Sequence, residues 1–181
     1  MARLPYPDIE HPDIKPMADR VRRERGGKVG NVFRMLMHSP TGMNGWMDFF
    51  TAVRQRYELD ARSRELAILK VAVINGADYE FNAHAPVAME AGVTQAEIDV
   101  LRTDKVPDSL TARDKAVLAY TDAMTRHIKV PDDVFAAARS HFNERLLVEL
   151  TLTIGGYNLV SRFLVAMQID HDPVSPPAGR K

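Results

Sequence analysis

The chain contains no cysteine. This excludes disulfides, thiolate metal sites and any thiol redox cycle run by this chain. An excess of charge is also lacking, since 24 basic residues stand against 24 acidic ones. Nucleic acids and anionic membrane surfaces both select for positive charge, so neither is expected as the main partner. No uninterrupted apolar run reaches the ~18 residues that a membrane span needs, and "MARLPYPDIEHPDIKP" at the start has no apolar centre of the signal-peptide kind. The expectation is a cytoplasmic protein without a membrane partner. Gly-x-Ser-x-Gly, a P-loop and a dinucleotide fingerprint are absent as well. The six histidines (His11, His38, His84, His127, His141, His171) show neither His-x-His nor His-Glu-x-x-His spacing, so no metal site is expected.

What is present is a 181-residue chain, 45% apolar, long enough for one domain with an ordinary core. Residues 1–30 read as an N-terminal arm followed by the flexible joint "GGKVGN", residues 31–170 as a helical domain, and residues 171–181 as a disordered tail. The basic run "RVRRERGGK" contains Glu24 and no aromatic residue, and reads as solvated surface. Helical patterns alternate with short breaks throughout the domain, and no strand-like alternation persists. Thr94 with Glu97 has capping-box spacing, Gly92 is a stop for the helix before it, and Thr111 with Asp114 repeats the capping signal. Asn143 can cap the long apolar segment Glu144–Met167, where Gly155 and Gly156 allow a kink or a close backbone approach. Trp46, Phe49, Phe50 and Val53 at helical spacing read as core packing. Together these signals predict an all-α bundle of about six to eight helices. Glu144–Met167 is apolar nearly all round, which a small helical domain can bury only at its centre or against another subunit, so an extensive apolar interface is expected on that helix or on the Trp46–Val53 helix.

Candidate chemistry lies in two adjacent helices. Glu65 heads the apolar run "RELAILKVAVIN" and shares its face with Ile68, Leu69 and Ala72. In the next helix Glu80 and His84 stand one turn apart, on a face that also takes Ala83, Val87 and Ala91. Pro86 inside this helix cannot donate to Asn82 and predicts a bend. Only "INGAD" separates the two helices, so they are expected to pack together and bring two carboxyls and an imidazole into one apolar pocket. Carboxyl and imidazole groups with displaced pKa values suit proton transfer. Taken singly, a Glu-x-x-x-His pair is commonly a salt bridge, and Glu65 can be a helix-start carboxylate favoured by the dipole.

The stretch Arg64–Asp99, with Glu65, Gly76, Asp78-Tyr79-Glu80, His84, Ala88, Gly92 and Thr94 in order, resembles the core of the carboxymuconolactone decarboxylase-like proteins. Their superfamily also holds the AhpD alkylhydroperoxidases. The resemblance implies an AhpD-like helical bundle and a homo-oligomer, a trimer or hexamer. The hydroperoxidase branch carries Cys-x-x-Cys where this chain has Ala77 and Glu80. The resemblance is therefore to the cysteine-free branch, and thiol peroxidase activity is excluded. It implies a cofactor-free lyase of aromatic catabolism that removes carbon dioxide from a small carboxylated lactone and protonates the resulting dienolate. His84 is the expected acid or electrophile, Glu80 its orienting partner or proton shuttle, and Glu65 a second acid or base. Tyr79, Tyr157, Asn158 and Arg162 are expected to bind substrate carboxylate or carbonyl. Two alternatives stay open: an isomerase or hydrolase using the same acid–base group, and a non-catalytic oligomeric binding protein. The chain is longer at its N-terminus than the compact lactone decarboxylases, which leaves the substrate undefined.

Overall fold

A computed structural model describes residues 1–172. The expected disordered tail, apart from His171 and Asp172, lies outside the described residues. Among them there is no strand, and the helices number nine, one more than the upper expectation. They are α1 (Lys15–Glu24), α2 (Asn31–Leu36), α3 (Pro40–Gln55), α4 (Ala61–Ile74), α5 (Asp78–Glu90), α6 (Gln95–Arg102), α7 (Ala112–His127), α8 (Asp132–Arg139) and α9 (Glu144–Met167). The all-α class holds.

The described residues divide into two compact units, 1–48 with 167–172 and 49–166. In the first, α1 and α2 pack together. Helix α1 starts where an extended arm and joint are expected: Pro16 enters its first turn, and Met17, Ala18 and Val21 form a short buried stripe. Asp170 gathers the start of the chain by accepting from the Ala2 N–H at 3.0 Å and the Tyr6 hydroxyl at 3.2 Å.

The second unit is built around α4, which packs against α5, α6 and α7, while α8 lies on α7. Asp60 caps α4 by accepting the Ser63 N–H at 2.9 Å. Every residue from Glu65 to Ala72 is buried, so α4 is a central helix with no solvent face. It ends at Asn75, and Gly76 at φ +62° turns the chain. That left-handed value favours glycine, and the tight turn lays α5 back along α4. The Thr94–Glu97 and Thr111–Asp114 capping boxes both form, at the starts of α6 and α7. Arg62 draws them together, donating to Asp114 at 3.2 Å and to Glu97 at 3.4 Å. Asn143 caps α9 by accepting the Leu146 N–H at 2.9 Å.

Helix α9 meets the length and hydropathy of a membrane span. It is nevertheless a core helix on one side, burying Leu147, Leu150, Ile154, Tyr157, Val160 and Leu164. Its glycine pair admits an aromatic ring: a Cβ on Gly156 would stand 2.6 Å from Cε1 of Phe49. Of the aromatic stripe on α3, Phe50 and Val53 are buried, while Trp46 and Phe49 are half-buried.

Candidate active site

The buried face of α5 consists of Glu80, Phe81, His84 and Ala88. Ala83, expected on that face, is exposed, and Val87 and Ala91 are only half-buried. Phe81 takes the core position and rotates the helix by part of a turn. The rotation keeps Glu80 and His84 inward, because residues four apart stay on one side under either phase.

Glu65 reaches this face from α4. Its Oε2 lies 2.6 Å from Nδ1 of His84. On the other edge of the ring, Oε1 of Glu80 lies 3.1 Å from Nε2. The three groups are deeply buried, with Glu80 the most accessible: relative exposures are 1% for Glu65, 3% for His84 and 6% for Glu80. Nδ1 is hydrogen-bonded to Glu65 and Nε2 stands at ion-pair distance from Glu80, so carboxylates flank the ring on both edges and favour the imidazolium. Burial alone pulls the His84 pKa down, but the Glu80 and Glu65 carboxylates outweigh it and hold it at about 9. Burial pushes Glu65 up, yet its bond to His84, with Arg64 adding to it, leaves it below the usual carboxylate range.

Arg64 completes the arrangement. Its Nε donates to Oε1 of Glu65 at 3.0 Å. Arg64, Glu65, His84 and Glu80 thus form a row of alternating charge that ends at a carboxylate. Sequence reasoning missed Arg64. Adjacent residues on a helix point about 100° apart, so nothing in "RE" signals that the longer side chain folds back onto its neighbour. Among the described residues, no group of three or more His, Cys, Asp or Glu is arranged to hold a metal ion.

Of the expected substrate-binding residues, the fold brings Tyr157 to the site. Its ring stands edge-to-face on His84, with centroids 5.2 Å apart and planes at 86°. It continues an aromatic row from Phe49 through Phe50, with centroid separations of 5.0 Å between those two and 5.5 Å from Phe50 to Tyr157. Burial, reinforced by Glu80, pushes the Tyr157 phenol well above its ordinary range, so it stays protonated.

Asn158 is committed elsewhere. Its Nδ2 donates to Thr125 Oγ1 at 3.1 Å and to Ile154 O at 3.0 Å. Its Oδ1 accepts from Asn75 at 3.0 Å and from Arg162 at 2.8 Å. Two donors and two lone pairs are the whole capacity of the amide, so Asn158 braces α4, α7 and α9 and has no bond left for a ligand. Arg162 belongs to the same brace. Tyr79, half-buried, precedes Glu80 and projects about 100° round the helix from it.

Comparison with known proteins supports the frame. The model of the Carboxymuconolactone decarboxylase family matches residues 40–123, which include the whole charge row. The uncharacterized protein YdfG of Bacillus subtilis is 28% identical over 131 residues, 71% of this chain and 88% of that protein. A protein of unknown function from Agrobacterium tumefaciens has a TM-score of 0.71 at 26% identity, covering 78% of this chain and 97% of its own. An alkylhydroperoxidase AhpD core protein from Ralstonia eutropha superposes with a TM-score of 0.80 at 20% identity, over 94% of this chain and 92% of that one. The debrominase Bmp8 shares the fold at 14% identity, with a TM-score of 0.78 over 95% and 94% of the two chains.

Proposed function

Since the chain is carboxymuconolactone decarboxylase-like, with an AhpD-like fold and no cysteine, we propose that it is an acid–base enzyme acting on a small carboxylated lactone or related carbonyl compound. The observation that carries this reading is the buried imidazolium held between two carboxylates, at 2.6 Å from Glu65 and 3.1 Å from Glu80. A second carboxylate at the more accessible edge supplies a path for a proton.

In the proposed reaction the carbon–carboxylate bond breaks and carbon dioxide leaves. The electron pair passes into the lactone carbonyl as a dienolate, so the substrate is its own electron sink and no cofactor is required. The Glu80 carboxylate first takes the proton of His84 Nε2, 3.1 Å away, and the resulting carboxyl delivers it to carbon; solvent then restores the imidazolium. His84 is thus the proton reservoir and Glu80 the group that meets substrate, because Glu80 is the more accessible of the two. Glu65, anchored by Arg64, holds the ring in place and keeps it charged. The neutral Tyr157 phenol is a donor for the substrate carbonyl.

The test is carbon dioxide release from candidate carboxylated lactones by the purified protein. Glu80→Gln should lower turnover by about 10²–10⁴-fold, the range of general acid–base catalysis. Solvent deuterium incorporation without carbon dioxide release would identify an isomerase instead. Turnover unchanged in both Glu80→Gln and His84→Ala would leave the three groups as a structural ion network.

A further inference from the structure

Arginines that form ion pairs in this protein mostly spend Nη groups on the carboxylate: Arg62 on Asp114, Arg126 on Asp104, Arg145 on Glu58. Arg64 does not. It engages Glu65 through Nε, and neither Nη group donates to a described residue. Its side chain is nonetheless only 14% exposed. The Nη groups are not sealed in protein either, since the fully buried side-chain polar atoms without a partner are Arg34 Nε, Arg113 Nε and Ser161 Oγ. The result is a mostly desolvated guanidinium with an open outer edge. Donors at such an edge can exchange water for a ligand atom.

The surroundings favour an anion at that edge. With His84 charged, Arg64, Glu65, His84 and Glu80 sum to zero. Arg54, on the last turn of α3, forms no ion pair with a described residue, and its field reaches the Tyr157 phenol together with that of Arg64. Arg54 therefore adds positive field at the Tyr157 end of the site.

We propose that Arg64 is the anion anchor of this site, holding a carboxylate of the ligand through its two free Nη groups. The planar fork matches the two oxygens of a carboxylate. Nε is fixed on Glu65, which sets the plane of the fork and ties the bound anion to the proton row one residue away. The anchored group is one that the product keeps. Pairing the departing carboxylate with a cation would stabilise the ground state more than the transition state. This last assignment rests on the acid–base reading above, whereas the binding itself does not.

The experiment is an NMR titration of the full chain with glutarate, a small dicarboxylate, following the ring resonances of His84 and Tyr157. Saturable shifts are expected for the wild type, and none for the neutral dimethyl glutarate. Arg64→Gln should weaken glutarate by at least about tenfold, or 1.4 kcal/mol. Arg64→Lys, which keeps the charge but loses the fork, should fall between the two. Arg139→Gln, a surface control, should bind as the wild type does. If Arg64→Gln fails to fold, Arg64→Lys decides, and wild-type affinity there would end the bidentate anchor. Wild-type affinity in a folded Arg64→Gln, or no saturable shift in the wild type, overturns the proposal. Because binding is read without turnover, failure of the decarboxylase reading leaves this result interpretable, and the converse also holds.

Discussion

Replacing His84 by alanine removes the one cation between two buried carboxylates. Glu65 retains Arg64, but Glu80 and Glu65 then face each other across a cavity that water barely reaches. Breaking a buried ion pair by deleting one partner costs about 3–5 kcal/mol. A linked effect has a sign that can be checked. His84 has a folded-state pKa of about 9 against 6.5 for the free side chain. A raised histidine pKa stabilises the fold fully below pH 6.5, and the contribution is lost as pH rises through 9. At 1.36 kcal/mol per pH unit the whole effect is about 3 kcal/mol, most of it gone by about pH 9. Urea unfolding of the wild type between about pH 6 and pH 9 should show this decline. Above about pH 10 unfolded tyrosines ionise, and the raised Tyr157 adds a loss of its own. His84→Ala should start lower and show a much flatter profile over the same window. A wild-type stability independent of pH in this range, or a His84→Ala protein with an undiminished slope, would refute the imidazolium assignment.

Gly155→Ala and Gly156→Ala should act in opposite directions. Alanine gains about 1 kcal/mol over glycine in a helix, and at Gly155 the added Cβ meets only Met124 Cε at 3.6 Å; at Gly156 it drives into Phe49, and overpacking of this kind costs about 1–3 kcal/mol. Their urea midpoints give the order, and the His84 ring resonances should move only in Gly156→Ala, through the Phe49–Phe50–Tyr157 row. Ile128 is 87% exposed at φ +64°, in a γ-turn closed by the Lys129 N–H on His127 O at 2.6 Å. Relieving a strained β-branched residue offsets the entropy of glycine, so Ile128→Gly should raise stability by roughly 1 kcal/mol; an unchanged or lower urea midpoint would count against the strain. Val148, Leu152, Leu159 and Val165 line the exposed side of α9 at 57%, 44%, 56% and 48%. We expect this strip to be covered in a homo-oligomer, so light scattering should give a multiple of the chain mass and Leu152→Glu with Leu159→Glu a lower one; a wild-type monomer at micromolar concentration would contradict it.

Much of the architecture was readable from local signals. Capping at Thr94, Thr111 and Asn143 depends on side chains within three residues of the groups they satisfy. The reversal at Gly76 depends on one glycine in a five-residue link. Glu80 and His84 face the same way for any helix that contains them, and the short link forces α4 and α5 together, so the convergence with Glu65 follows from chain order and helical period. The absence of cysteine settled what the site cannot do. Other features needed the fold. Which side of α5 faces inward turned on Phe81 finding the core, a competition between apolar residues of similar hydropathy. Asn158 and Arg162 carry ligand-binding groups by residue type, yet the packing of α4, α7 and α9 consumes the whole capacity of Asn158. Arg64 looks like a solvent residue beside a buried glutamate, and only the tertiary structure turns it back along α4 to pair with Glu65 and leaves its outer edge open. Local bonding is fixed by neighbours in sequence; how a long polar side chain spends its donors is fixed by whatever the rest of the chain brings within reach.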